Sequence, residues 1–369
     1  MNKKTGFIFV MIVLGIVGLV GILSKVSPWA IIKTFQHAKP AYVILFLLNS
    51  VMVMVVFTLR WLVIMRSQGH NVPFKNLFIY RICGYGIGAI TPTAKTGGEP
   101  VRIMLLKRHG INMKDRVFSV LTDKILETSA NFIFFVIGLF LVIMKFAVPK
   151  KTEFILIVLL VVFAALIGIY YTRMLKGKHF FADTFKLLKL AKVKRMAKYE
   201  NRIIEMEKIM INYFEEHKLN FSLAFLLSML GWVFTFGELK YALSIVGITQ
   251  VSIAQIFIIL SFLGIAFLIP IPLAIGSLEA LQISTFKMMN FQSAPAAVAM
   301  AFMIRVRDLL WTIITIIALS YFGFNFKGIV KKSLSRVDED VTRIQLKDGS
   351  SIKIKRPGKK GHAWFFRLR

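Results

Sequence analysis

Hydrophobic residues in this chain come in long blocks, not in the short stripes that face a soluble core. Predominantly apolar blocks lie at 6–23, 41–65, 117–144, 154–171, 221–245 and 296–322, with charges inside some of them. Each has the length of roughly 18 or more residues that lets a helix cross a ~30 Å hydrocarbon layer. Two further blocks, 76–108 and 251–289, are interrupted, at Thr91-Pro92-Thr93 and at Pro270-Ile271-Pro272. The pattern predicts an all-α polytopic membrane protein with about six full transmembrane helices plus two broken, re-entrant helical hairpins. Lys3 and Lys4 precede the first block as in a signal peptide, but no small-residue cleavage site follows, so it reads as an uncleaved first helix.

Composition agrees with the pattern. The 369 residues are 57% hydrophobic, above the 45–50% of a soluble domain, and the mean hydropathy is +0.70, which excludes a soluble enzyme. The single cysteine, Cys83, excludes an intrachain disulfide and a cysteine-based metal cluster. The net charge of +30 comes from 48 Lys+Arg against 18 Asp+Glu. Much of it lies between the blocks. Residues 173–218 hold twelve basic and six acidic side chains, and 325–369 hold thirteen and four. Arg60 and Arg66 close the second block, and Arg81 and Arg102 count with the basic residues of 66–116. Basic segments stay on the inner face and touch anionic lipid heads. This charge distribution places both termini in the cytoplasm and the protein in the cell membrane. A nucleic-acid partner is not expected, because no basic platform interleaved with aromatics is present.

Residues 173–218 carry apolar side chains at helical spacing (Phe181, Phe185, Leu188, Ile203, Met206, Met210), which suits an amphipathic linker along the inner leaflet or a plain connecting helix. The tail 325–369 alternates apolar and polar residues on both sides of Asp348-Gly349, a hairpin pattern with Ile344, Leu346, Ile352 and Ile354 on one face. Asp338-Glu339-Asp340 has no further ligand at metal spacing, so no metal or cofactor is expected.

The two interrupted blocks match each other. The first reads Pro92-Thr-Ala-Lys95-Thr-Gly97-Gly98-Glu99-Pro100-Val-Arg102, and the second Pro272-Leu-Ala-Ile-Gly276-Ser277-Leu-Glu279. Glu follows Pro by seven residues in both. Lys124 and Glu127 lie 25 and 28 residues after Glu99; Arg305 and Asp308 lie 26 and 29 after Glu279. Each cation and acid are three apart and share a helix face. The repeat predicts halves at about 41–145 and 221–323, within a membrane domain 1–324, inserted in opposite senses. Broken helices at membrane depth must line a protein-walled or wet space. Pro100 fits the first turn of one returning half-helix and Ser277 the cap of the other, leaving N-terminal amides for an anion. Charges inside spans cost roughly 2.5–3.5 kcal/mol each on insertion scales, so they mark function more often than packing. The candidate substrate-binding set is therefore Lys95, Gly97, Gly98, Glu99, Arg102, Asp123, Lys124, Glu127, Gly276, Ser277, Glu279, Arg305, Arg307 and Asp308, with turns at Pro92, Pro100, Pro270 and Pro272.

GAITPTAKTGGEPVR (88–102), DKILE (123–127), PIPLAIGSLEA (270–280) and RVRDLLW (305–311) resemble the lysylphosphatidylglycerol synthase transmembrane-region family, the flippase-like membrane domain of multiple peptide resistance factor. The resemblance covers about residues 6 to 322, and the second turn differs in holding Leu273, Ala274 and Ile275 where the family is richer in glycine. It implies a lipid translocase that moves a phospholipid or lipid-linked head group, anionic or aminoacylated, between leaflets. It also implies links to lipid metabolism and antibiotic resistance, with a separate lipid-modifying synthase and a homo-oligomer as possible partners. Bifunctional members add a soluble aminoacyltransferase domain; the 45 residues 325–369 are too few for one, so transferase activity is not expected. The competing readings are a small-solute or ion secondary transporter and a head-group-modifying membrane enzyme. The six histidines are scattered, and no nucleophile–base motif supports the enzyme.

Overall fold

The computed structural model describes residues 17, 19–22, 24, 26–36, 38–91, 97–145, 150–180, 183–184, 204, 207–208, 211–269, 271–291, 294–322, 344–345 and 351–352. The helices are α1 (Pro28–Thr34), α2 (Pro40–Ser67), α3 (Phe74–Ile90), α4 (Glu99–Leu106), α5 (Met113–Lys145), α6 (Lys150–Leu175), α7 (Lys218–Ile245), α8 (Ile253–Leu268), α9 (Ser277–Met288) and α10 (Ala294–Tyr321). Short 3-10 turns lie at Lys107–His109 and Pro272–Ala274. Ile344 pairs with Ile352 and Gln345 with Ser351 in a two-residue antiparallel ladder, β1 with β2. Most of the linker and the hairpin turn lie outside the described residues, as does most of the first apolar block.

Local signals set the helix boundaries. Proline occupies the first turn of α1, α2 and α4, where a missing N–H costs nothing. Ser252 and Gln255 form a reciprocal capping box at the start of α8. Gly110 takes a left-handed conformation (φ 70°) to end the 3-10 turn after α4. The segment before α2 contains the short helix α1, because Pro28 starts a turn that Ile31 and Phe35 anchor against the core.

Three of the described helices are long and apolar enough to cross a membrane: Pro40–Ser67, residues 113–141 within α5, and Lys218–Ile245. Their outer faces expose large apolar side chains, including Ile44, Leu48, Phe140, Leu226 and Val233. In water such belts would be a liability; in lipid they are solvated. The chain is a helical membrane protein.

α2 and α7 form the central pair. Asn49 lies against Gly237, Phe57 against Gly231 and Arg60 against Ser228, so numbers rise on one helix as they fall on the other. The two therefore run antiparallel. A Cβ on Gly231 would sit 2.1 Å from the Phe57 ring, so the absence of a side chain there sets the approach. Around this pair the packing is reciprocal. α3 packs on α10 as α8 packs on α5, α4 packs on α5 as α9 packs on α10, and α2 packs on α3 as α7 packs on α8. The two largest buried clusters among the described residues follow this division: one includes Trp61, Leu77, Ile87, Leu105 and Val120, the other Leu243, Ile259, Leu278, Phe286 and Met300.

Candidate functional site

In the first set of helices, three arginines share one aspartate. Asp123, on α5, is fully buried. Its Oδ1 accepts from Arg60 Nε at 2.7 Å, and its Oδ2 accepts from Arg81 Nη2 at 2.8 Å and Arg102 Nη2 at 2.7 Å. Arg60 also donates to Ser228 Oγ at 3.2 Å and Glu127 Oε2 at 3.4 Å. Lys124 Nζ donates to Glu127 Oε1 at 2.7 Å and lies 3.6 Å from Glu99 Oε1. Aromatic faces support the cations: the Arg102 guanidinium is 3.9 Å from the Trp61 ring centroid, and that of Arg60 is 4.7 Å from Phe57.

Two glycines bring Arg102 to this point. A Cβ on Gly98 would lie 1.8 Å from the Gly84 carbonyl oxygen, so α4 starts in direct backbone contact with α3. A Cβ on Gly84 would meet the Arg102 stem at 2.8 Å. The arginine therefore passes over a bare stretch of α3 to reach Asp123. Glu99 stands in the first turn of α4, where the helix dipole favours a carboxylate.

In the second set the turn itself is strained. Leu273 (φ 54°) and Ala274 (φ 50°) are left-handed without being glycine. Arg305 grips this turn: its Nε donates to the Leu273 carbonyl at 3.2 Å and its Nη2 to the Ala274 carbonyl at 3.0 Å. The same guanidinium makes a two-pronged pair with Glu279, one prong at 2.6 Å. Nearer the middle of α10, Arg307 Nη1 lies 2.8 Å from Glu238 Oε1, and Arg307 Nη2 donates to Asp308 Oδ1 at 2.7 Å. Tyr85 of α3 donates its hydroxyl to Asp308 Oδ1 at 2.6 Å.

The structure thus gathers Glu99, Arg102, Asp123, Lys124 and Glu127 into one cluster, Glu279 with Arg305 into a second, and Arg307 with Asp308 into a third. Gly97, Gly98 and Pro100 form the turn into α4, and Pro272 opens the 3-10 turn before Gly276. Lys95, Pro92 and Pro270 lie outside the described residues. Ser277 does not cap α9. Gly276 is the N-cap, Glu279 Oε2 accepts from its N–H at 3.0 Å, and Ser277 Oγ instead donates to Ala274 O at 3.1 Å. That amide is consequently taken by the chain's own carboxylate. Arg305 and Asp308 turn to different partners rather than to each other.

Sequence reasoning missed Arg60, Arg81, Trp61, Tyr85 and Glu238 as members of these clusters. Arg60 and Arg81 were counted as flanking charges, but both are buried. The usable signal was positional: Arg60 and Glu238 are each the twenty-first residue of a 28-residue apolar helix. Because Ser228, the partner of Arg60, and Glu238 are ten residues apart on α7, the two positions lie about 15 Å apart along that helix.

The family model for the lysylphosphatidylglycerol synthase TM region matches residues 7–318, and the chain belongs to that family. It is 31% identical over 120 residues to a UPF0104 membrane protein of Methanothermobacter thermautotrophicus, covering 32% of this chain and 36% of that one. A UPF0104 membrane protein of Methanocaldococcus jannaschii is 31% identical over 136 residues, 36% of this chain and 40% of that one. One of Pyrococcus horikoshii is 24% identical over 132 residues, 35% and 39%. The matches span well under half the length of these relatives.

Proposed function

We propose that this member of the lysylphosphatidylglycerol synthase transmembrane-region family is a lipid translocase. It moves a phospholipid or lipid-linked head group between leaflets past two charged stations while the acyl chains stay in lipid. The carrying observation is the doubled arrangement. Antiparallel α2 and α7 each present a charge at their twenty-first residue, about 15 Å apart along the pair, and each set of helices ties a half-helix glutamate to a cation of the following long helix: Glu99 to Lys124 and Glu279 to Arg305. Buried charges of both signs along one helix pair are expensive in a bilayer and suit a polar head group that must cross it.

On this reading the membrane domain has six full spans and two re-entrant hairpins, and its halves 41–145 and 221–323 are an inverted repeat. Both termini face the cytoplasm of the cell membrane, and the paired strands belong to a hairpin in the basic tail. The substrate is a membrane phospholipid supplied directly or by a separate synthase. The test is head-group exposure in reconstituted vesicles. Glu99→Gln and Arg305→Ala are expected to slow translocation at least tenfold against wild type; unchanged rates in both would overturn the assignment.

A further inference from the structure

The Asp123 cluster carries more cations than carboxylates. Among the described residues Arg60, Arg81, Arg102 and Lys124 pair only with Asp123, Glu127 and Glu99. Among the described residues Arg81 and Arg102 form an ion pair with no acid but Asp123, which they share with each other and with Arg60. A cation left without its counter-charge inside a bundle is costly, and the cluster of described residues is one negative charge short.

A second, independent observation lies in the donors. Among the described residues the Arg81 Nε, Arg102 Nε and Trp61 Nε1 hydrogens are buried and have no acceptor. Trp61 is 0% exposed, and both guanidiniums lie over it, at 3.9 and 5.7 Å from its ring centroid. Unpartnered buried N–H groups beside surplus positive charge are what an oxyanion with several acceptor oxygens satisfies. Arginine suits a phosphate better than lysine does, because its planar fork donates two parallel hydrogen bonds.

We infer that Arg81, Arg102 and Trp61 form an anion site, and that its ligand is a phosphate group. The anion binds beside Asp123, which holds one Nη2 of each arginine, and the unpartnered Nε and Trp61 Nε1 hydrogens are the donors left for the ligand. The inference deepens the translocase reading and rests on it for the lipid source, since a head-group phosphate and free phosphate share the chemistry. It also assigns the phosphate to one set of helices only. The positions matching Arg81 and Arg102, counted from Pro272 and Glu279, are Ser261 and Gln282.

The test uses the full chain purified in detergent and follows its thermal midpoint with inorganic phosphate, with short-chain phosphatidylglycerol, and with chloride at matched ionic strength. Phosphate or phosphatidylglycerol is expected to raise the midpoint where chloride does not. A response to the lipid alone identifies the head group as the source, and a response to inorganic phosphate identifies the free ion. In either arm Arg81→Gln should abolish the shift, and Trp61→Phe should weaken half-saturation about fivefold by removing a single donor. Trp61→Phe keeps the ring beneath Arg102, so it decides the matter if Arg81→Gln does not fold. Gln282→Leu should leave the response intact. No shift with either ligand, or a shift that survives in Arg81→Gln and Trp61→Phe, overturns the site. Translocation measured on the same preparations separates the two claims: binding without translocation keeps the site and removes the translocase.

Discussion

The helices α2–α5 and α7–α10 hold side chains at matching positions and fill them with different chemistry. Where α2 carries Arg60, α7 carries Glu238; Arg81 is matched by Ser261, Arg102 by Gln282 and Asp123 by Ile304. Two features are common to both sets, the glutamate that follows proline by seven residues and the cation that reaches it. The first set becomes a knot of three arginines on one carboxylate. The second satisfies its cation with backbone carbonyls of a strained turn. The shared packing keeps the glutamate–cation pair; of the other matched positions only Arg60 and Glu238 are charged in both sets, and their signs are opposite.

The largest test of that difference removes the shared acid. Asp123→Asn leaves three buried guanidiniums without a carboxylate of their own, apart from the Glu127 contact of Arg60. Breaking a buried pair costs about 3–5 kcal/mol. Asp308→Asn should cost less, because Arg307 keeps Glu238. Thermal unfolding in detergent should therefore rank Asp123→Asn well below Asp308→Asn. Equal losses would mean that the two clusters are energetically alike.

The next test concerns backbone contact. Gly98→Ala puts a methyl group 1.8 Å from the Gly84 carbonyl oxygen, and overpacking of this kind costs about 1–3 kcal/mol. Gly264 in α8 has nothing within 4 Å of its missing Cβ, so Gly264→Ala should change stability by less than about 0.5 kcal/mol. A Gly98→Ala protein as stable as wild type, by the same unfolding measurement, would show that α4 shifts freely over α3.

Much of the architecture was legible in the chain, and the reason is physical. A hydrocarbon layer demands long apolar helices, and breaks such as Thr91-Pro92-Thr93 stand out against them. The same demand made Glu99, Asp123, Lys124, Glu127, Arg305 and Asp308 conspicuous. Arg60 and Arg81 were not, because each lies near the end of an apolar block, where an arginine ordinarily reaches toward lipid heads. Only the fold shows that α5 brings Asp123 to meet them. The cap of α9 was misread for a related reason. Ser277 has the right chemistry one position too late, and Glu279 reaches back to the Gly276 N–H instead.

The strained turn allows a change in the opposite direction. Ala274 is buried and left-handed at φ 50°, so Ala274→Gly relieves backbone strain at the cost of one methyl group. A gain of up to about 1 kcal/mol is expected on unfolding. If Arg305 uses the strain to hold the turn in one state, translocation should fall as stability rises. A variant that gains stability and keeps its full rate would show that the strain has no part in the cycle.

The smallest effect lies at the end of α4, where the two sets differ again. His109 closes the half-helix, 3.1 Å from Tyr80 Oη and 3.3 Å from Asn76 Nδ2, while the matching position in the second set is Met289. Burial and the neighbouring Arg108 hold the His109 imidazole below its ordinary pKa. The folded protein therefore takes up this proton less readily than the unfolded chain does. Stability from this group is complete above the free imidazole value of about 6.5 and declines as the pH falls below it. His109→Gln keeps an acceptor for Tyr80 and does not titrate, so it should flatten this part of the pH–stability profile. Met289→Gln should leave the profile as it is. An unchanged acid limb in His109→Gln would show that this imidazole does not set it.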